Sequence, residues 1–170
     1  TFIPDDTAIG RMLFGIGQGS VAWTPLHAAT AYARLANQGG EVVPVLVLEE
    51  EPAAEVEPGD WSREAVRIAF QGMRKSAKEG TASQLWLENR RREDILDFSD
   101  LGDAAPIVWA KTGTAQVTGK ASHAWYAGMV APAGEQQPRY AFAVVVEHGN
   151  SGGRAGGAIA AQLIRALAAE

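Results

Sequence analysis

The chain has 170 residues, 46% of them hydrophobic and 21% charged, which suits one packed domain and excludes disorder, collagen-like repeats and a membrane-spanning apolar run. A formal net charge of −5 argues against nucleic-acid binding, which depends on neutralising phosphates. Without cysteine there is no disulfide, cysteine–zinc, iron–sulfur or thiol chemistry.

Residues 1–23, with Gly10, Gly15, Gly17 and Gly19, read as a loosely ordered lead-in. Thr24 as N-cap and Pro25 at the first helical position predict a helix over 24–38, stopped by Gly39-Gly40. Its small-residue face (Leu26, Ala29, Ala33, Ala36) suits close packing on a neighbour. Residues 42–48 read as a short strand, confined to an edge by Pro44, and 49–60 as an acidic connection. Ser62 caps a predicted helix over 63–79, with Val66, Ala69, Phe70 and Met73 on one face and Gly80 at its end. Thr81 is expected to cap a further helix through Leu85, Trp86 and Leu87 to Arg90-Arg91-Arg92, since cations suit a helix C-terminus. Residues 93–105 read as a polar loop. Residues 106–117, 123–132 and 140–148, rich in β-branched and aromatic residues, predict three strands joined by hairpin-length connections. A glycine-rich link over 149–157 leads to a closing helix over 156–169. The order of elements predicts an α+β fold: a three-stranded antiparallel meander flanked by helices.

Lys111-Thr112-Gly113-Thr114 on the first meander strand is the segment with the most chemistry. Threonines at alternate positions point to one side of a strand and can grip a carboxylate. A glycine between them admits a ligand backbone, a lysine supplies a positive field, and an edge-strand N–H can serve as an oxyanion donor. The same four residues also suit a plain strand with β-forming threonines and a terminal lysine. Gly15 to Ser20 fails the spacing of a dinucleotide loop, and Gly113 to Lys120 fails that of a Walker loop. His27, His123 and His148 have no metal-ligand spacing, and His27 reads as a core or cap residue. The aspartates at 94, 97, 100 and 103 are spaced wrongly for a calcium loop. Trp109, Trp125 and Tyr126 read as core.

The strand Trp109-Ala110-Lys111-Thr112-Gly113-Thr114-Ala115-Gln116-Val117 resembles the Lys-Thr-Gly motif of penicillin-binding proteins. Further segments agree in order: Gly17-Gln18-Gly19, Thr24-Pro25-Leu26-His27, Leu35-Ala36-Asn37-Gln38-Gly39, Glu79-Gly80-Thr81-Ala82, His123-Ala124-Trp125-Tyr126-Ala127-Gly128 and Val144-Val145-Val146-Glu147-His148-Gly149. The resemblance to the class B transpeptidases of that family covers nearly the whole chain. It implies a five-stranded antiparallel sheet with helices on both faces, and three motifs: Ser-x-x-Lys, Ser-x-Asn and Lys-Thr-Gly. No serine of this chain has lysine three residues later, and none begins Ser-x-Asn. The expectation is therefore that residues 1–170 are the C-terminal part of a transpeptidase domain, with the nucleophile and two strands elsewhere.

By that resemblance, Lys111 supplies positive potential to the catalytic pair and the Thr114 N–H forms half of an oxyanion hole. Thr112 and Thr114 bind the carboxylate of a peptidoglycan stem peptide or a β-lactam, and Gly113 allows its close approach. No metal or cofactor is implied, and the isolated chain is expected to be inactive. The expected partners are the stem peptide, β-lactams, and either the missing N-terminal half of the domain or a second copy pairing with an open sheet edge. The expected place is the outer face of the bacterial cytoplasmic membrane, with the anchor in a segment outside this sequence. Two other readings compete: a degenerate module that binds peptidoglycan peptides or β-lactams without turnover, and a fragment related to class D β-lactamases or β-lactam sensors.

Overall fold

The computed structural model describes residues 7–19, 22–45, 56–86 and 92–168. Its elements are α1 (Ala8–Gly15), α2 (Pro25–Ala36), α3 (Arg63–Glu79), β1 (Gln84–Trp86), β2 (Arg92–Asp94), a 3-10 helix (Ser99–Ala104), β3 (Ile107–Val117), β4 (Lys120–Ala131), β5 (Tyr140–Val146) and α4 (Gly157–Ala168), which a π turn (Gly152–Gly156) introduces. The fold is α+β, as expected.

The meander forms as its β-branched and aromatic content predicts. β3, β4 and β5 pair antiparallel in the order β3-β4-β5, and Ala110 lies opposite Gly128. A Cβ on Gly128 would collide with the main chain of Trp109 and Ala110, so glycine allows the two strands to approach. β4 starts at Lys120, three residues before the expected start, because a two-residue turn with Gly119 at φ 71 joins it directly to β3. On its outer side β5 has no strand partner among the described residues.

Each face of the sheet has its own core. On one face Val108, Ala110, Tyr126, Val130, Phe142 and Val144 pack against Ala160 and Ile164 of α4. On the other, Trp109, Met129 and Ala131 pack against Tyr32, Leu35 and Ala36 of α2 and Phe70 and Met73 of α3. The period of two along β3 sends Val108 and Ala110 one way and Trp109 the other. Tyr126 is fully buried, and its hydroxyl donates to the Ala82 carbonyl at 2.6 Å. Burial pushes its phenol pKa up.

The helix starts follow their caps. Thr24 Oγ1 accepts the His27 N–H, and His27 Nδ1 accepts the Thr24 N–H, so histidine takes the place that glutamate fills in the common capping box. Ser62 caps α3 through the Ala65 N–H, and Gly80 ends it. α3 also lies along the outer edge of β3, where Arg74 donates to the Val108 carbonyl at 3.0 Å. Partial burial there lowers the Arg74 pKa.

Four expectations need correction. The glycine-rich lead-in contains α1, which Thr7 caps through the Gly10 N–H, so a local cap outweighs two glycines. Residues 41–45 form no strand, and the rest of the expected 42–48 strand lies outside the described residues. The helix expected after Thr81 is absent: residues 81–83 form a turn, and β1 and β2 pair antiparallel with Leu85 opposite Glu93. Residues 87–91, most of that helix's expected C-terminal end, lie outside the described residues. Finally, the polar loop expected over 93–105 begins in β2 and contains the 3-10 helix.

Candidate carboxylate site

The second half of β3 carries the Lys-Thr-Gly segment to an open edge. In an antiparallel ladder the N–H and C=O of one residue point to the same side. The carbonyls of Val108 and Thr114 accept from Arg74 and Gln18, which lie off the β4 side, so residues of this parity present their main chain outward. The Thr114 N–H therefore projects from the outer edge.

Thr112 and Thr114 line a cleft of about 460 Å³. Its other walls are Thr81, which follows α3, and Ser151, Gly152, Gly153 and Arg154, which enter from the π turn. The Thr112 and Thr81 hydroxyl oxygens are 2.9 Å apart and share a hydrogen bond. Gly152 sits directly on the sheet: a Cβ there would fall on main-chain atoms of Gly113 and Trp125. Ser151 Oγ accepts the Arg154 N–H at 3.4 Å and so shapes the start of that turn. Hydroxyls, N–H groups and a guanidinium around one opening make a chemical setting for an anion.

Of the residues singled out in the sequence, Thr112 and Thr114 thus meet in the cleft. Gly113 lies opposite Trp125, and a Cβ at Gly113 would stand 3.2 Å from the Trp125 Cβ. Lys111 is not among the lining residues. It leaves the strand on the other face from the two threonines, and its Nζ curls back to donate to the Thr112 carbonyl at 2.6 Å on the outer edge. Its charge therefore stands beside the opening.

His27 is a cap, as described above. His123 and His148 do not line the cleft but meet each other, with ring centroids 4.8 Å apart and the His148 N–H donating to His123 Nδ1. Trp109 is core, Tyr126 is core, and Trp125 is half-buried. Asp97 and Asp100 are engaged with Ser99 and Arg165. Among the described residues, no group of three or more His, Asp or Glu is placed to hold a metal ion, and no helix is long and apolar enough to cross a membrane.

Sequence reasoning missed the opposite wall, 151–154, and missed Gln18. The only signal for the wall was the glycine-rich link, since a turn that rests on a sheet needs residues without side chains. Gln18 carried no signal of its own beyond its place in the Gly-Gln-Gly segment.

The family model for the penicillin binding protein transpeptidase domain matches residues 3–169. The peptidoglycan D,D-transpeptidase PbpA of Mycobacterium tuberculosis, in strains CDC 1551 / Oshkosh and H37Rv, is 32% identical over 170 residues. The match takes in 97% of this chain and 32% of the relative, so the chain spans about a third of that protein's length. The solved structure of penicillin-binding protein A from M. tuberculosis, an imipenem acyl-enzyme complex, superposes with a TM-score of 0.64 at 24% identity. That superposition covers 95% of this chain and 35% of the other, and supports the same fold.

Proposed function

Since this chain belongs to the penicillin-binding protein transpeptidase domain family of peptidoglycan synthesis, we propose that it supplies the carboxylate-binding wall of a serine D,D-transpeptidase site. The observation that carries this reading is the meeting of Thr112 and Thr114 on one cleft whose far wall is Ser151 to Arg154. The two hydroxyls hold the terminal carboxylate of a stem peptide ending in D-Ala-D-Ala, or the carboxylate of a β-lactam. Gly113 lets the ligand lie against the strand. Lys111 adds positive charge beside the opening. The Thr114 N–H donates to the oxygen that becomes negative as the amide carbon turns tetrahedral.

The serine belongs to a part of the domain outside these 170 residues. There its oxygen attacks the penultimate D-alanine carbonyl, an ester forms, and the amide to the terminal D-alanine breaks and releases that residue. An amine of a neighbouring stem peptide then attacks the ester carbon, forms the cross-link and restores the serine hydroxyl. None of the serines of this chain carries lysine three residues on, so the chain alone binds without turnover. The outer edge of β5 accepts either the remaining strands of the domain or a second copy. The substrate places the work on the outer face of the cytoplasmic membrane.

Titration of the chain with diacetyl-Lys-D-Ala-D-Ala, followed by NMR, tests this reading. A hydrogen bond to a charged group contributes about 1.5–3 kcal/mol, so Thr112→Val with Thr114→Val should weaken binding at least about tenfold. Intact mass after incubation with benzylpenicillin should show no covalent adduct on this chain. Binding that ignores the double substitution would remove the carboxylate site, and an adduct would place a nucleophile among the chain's own serines.

A further inference from the structure

Gln18 reaches β3 from 96 residues upstream and takes up hydrogen-bonding positions on its open edge. Its Nε2 donates to the Thr114 carbonyl at 2.9 Å, and its Oε1 accepts the Gln116 N–H at 3.4 Å. A carboxamide is a peptide group on a side chain, with one donating and one accepting end. An extended peptide laid along an exposed strand edge uses these same outward main-chain groups. The occupied carbonyl belongs to Thr114, whose N–H is the oxyanion donor of the reading above.

We propose that Gln18 is a resident substitute for the substrate backbone. It holds the β3 edge in the free state and must withdraw before a peptide can pair with Thr114. The inference rests on the carboxylate reading of Thr112 and Thr114 and adds a gate to it. The surroundings allow withdrawal at small cost. Gly17 and Gly19 flank the residue at φ 72 and φ 90, in the left-handed region that glycine enters freely. The preceding helix α1 buries no side chain, so no core has to open when the loop swings. Main-chain contacts within 13–18 keep the loop compact: the Gln18 N–H donates to the Leu13 carbonyl at 2.8 Å. Release of the side chain therefore leaves that turn intact.

A gate and a simple tether make opposite predictions. Withdrawal of the carboxamide is part of the cost of binding a peptide, but not of binding an anion that touches only the two threonine hydroxyls. Gln18→Ala removes the substitute. Gln18→Met keeps its length but has neither the donating nor the accepting end, and it adds no charge beside a site that binds an anion. Both variants should bind diacetyl-Lys-D-Ala-D-Ala about five- to tenfold more tightly than the parent chain, with the affinity for propionate unchanged. Thermal melts of the three proteins check that the fold is kept, and Gln18→Met serves if Gln18→Ala does not fold. Unchanged or weaker peptide affinity in both variants would overturn the gate and make Gln18 a tether. Propionate binding without peptide binding would also overturn it, since the edge would then not pair with a backbone. Failure of both ligands on all three proteins would instead overturn the carboxylate site itself.

Discussion

The two halves of β3 lie in different surroundings although they belong to one continuous strand. Over 107–110 the strand is enclosed: Val108, Trp109 and Ala110 are buried, and α3 covers the outer edge through Arg74. Over 111–117 no residue is buried, and the edge is met by single side chains, from Lys111 and Gln18. The enclosed half anchors the strand to both cores and fixes its direction. The open half keeps outward main-chain groups within reach of a ligand. Stability and the proposed recognition are thus separated along the strand by a few residues, which makes the separation open to substitution.

The largest effect should come from the enclosed half. Trp109 is 7% exposed and meets Phe70 edge-on, with ring centroids 5.6 Å apart. Trp109→Ala should cost about 3–5 kcal/mol in urea unfolding, whereas Thr112→Val, three residues on, should stay within about 0.5 kcal/mol. Equal costs at the two positions would break the comparison, since β3 would then be one structural unit throughout.

The next effect concerns the contact between the open half and its far wall. At Gly152 a new Cβ meets main-chain atoms of Gly113 and Trp125, and neither can rotate away. Gly152→Ala should cost about 1–3 kcal/mol and lift the 151–154 wall, with loss of peptide binding. Gly72 is the control: it lies in α3 with open space around it, so Gly72→Ala should stabilise by about 0.5–1 kcal/mol and leave binding alone. A Gly152→Ala chain that melts and binds like the parent would mean that the turn does not rest on the sheet.

The sequence revealed the enclosed half better than the open one. A continuous run of apolar, β-branched and aromatic residues over 107–110, matched in β4 and β5, marks a sheet buried on both faces, as Thr24 and Ser62 mark their helix starts. Thr112 and Thr114 were legible because a period of two is a local rule. Gln18 and Arg154 were not, since tertiary packing brings them to Thr114 from distant parts of the chain. The turn and strands after Thr81 were misread because a run of arginines suits a helix end in isolation, whereas Gly80 and the buried Ser83 turn the chain against the sheet instead. α1 was missed because its apolar residues stay exposed, Ile9 and Met12 among them, and its only strong signal is one threonine.

The smallest expected effect lies outside the lining of the cleft and tests whether the enclosed half has electrostatic support. Arg165 on α4 grips Asp100 with two hydrogen bonds, at 2.8 and 3.0 Å, donates to the Asp97 carbonyl, and lies over the Phe98 ring. The Arg165 hydrogen bond holds the Asp100 carboxyl below its ordinary pKa, and the Ser99 hydrogen bond does the same for Asp97. A carboxyl with a lower pKa in the folded state binds its proton more weakly there than in the unfolded chain. Its contribution is therefore full above the unfolded value of about 3.9 and fades as pH falls through the folded value. Both groups are exposed, so solvent screens the pair and the contribution is small. Asp100→Asn should lower the melting temperature slightly near pH 6, and the gap to the parent should close as acidification takes the Asp100 carboxyl through its lowered folded pKa. Peptide affinity should not move at any of these pH values. A gap that stays constant with pH would remove the charge from the account and leave only packing on Phe98, and a change in peptide affinity would mean that α4 and the cleft are coupled through the π turn that joins them.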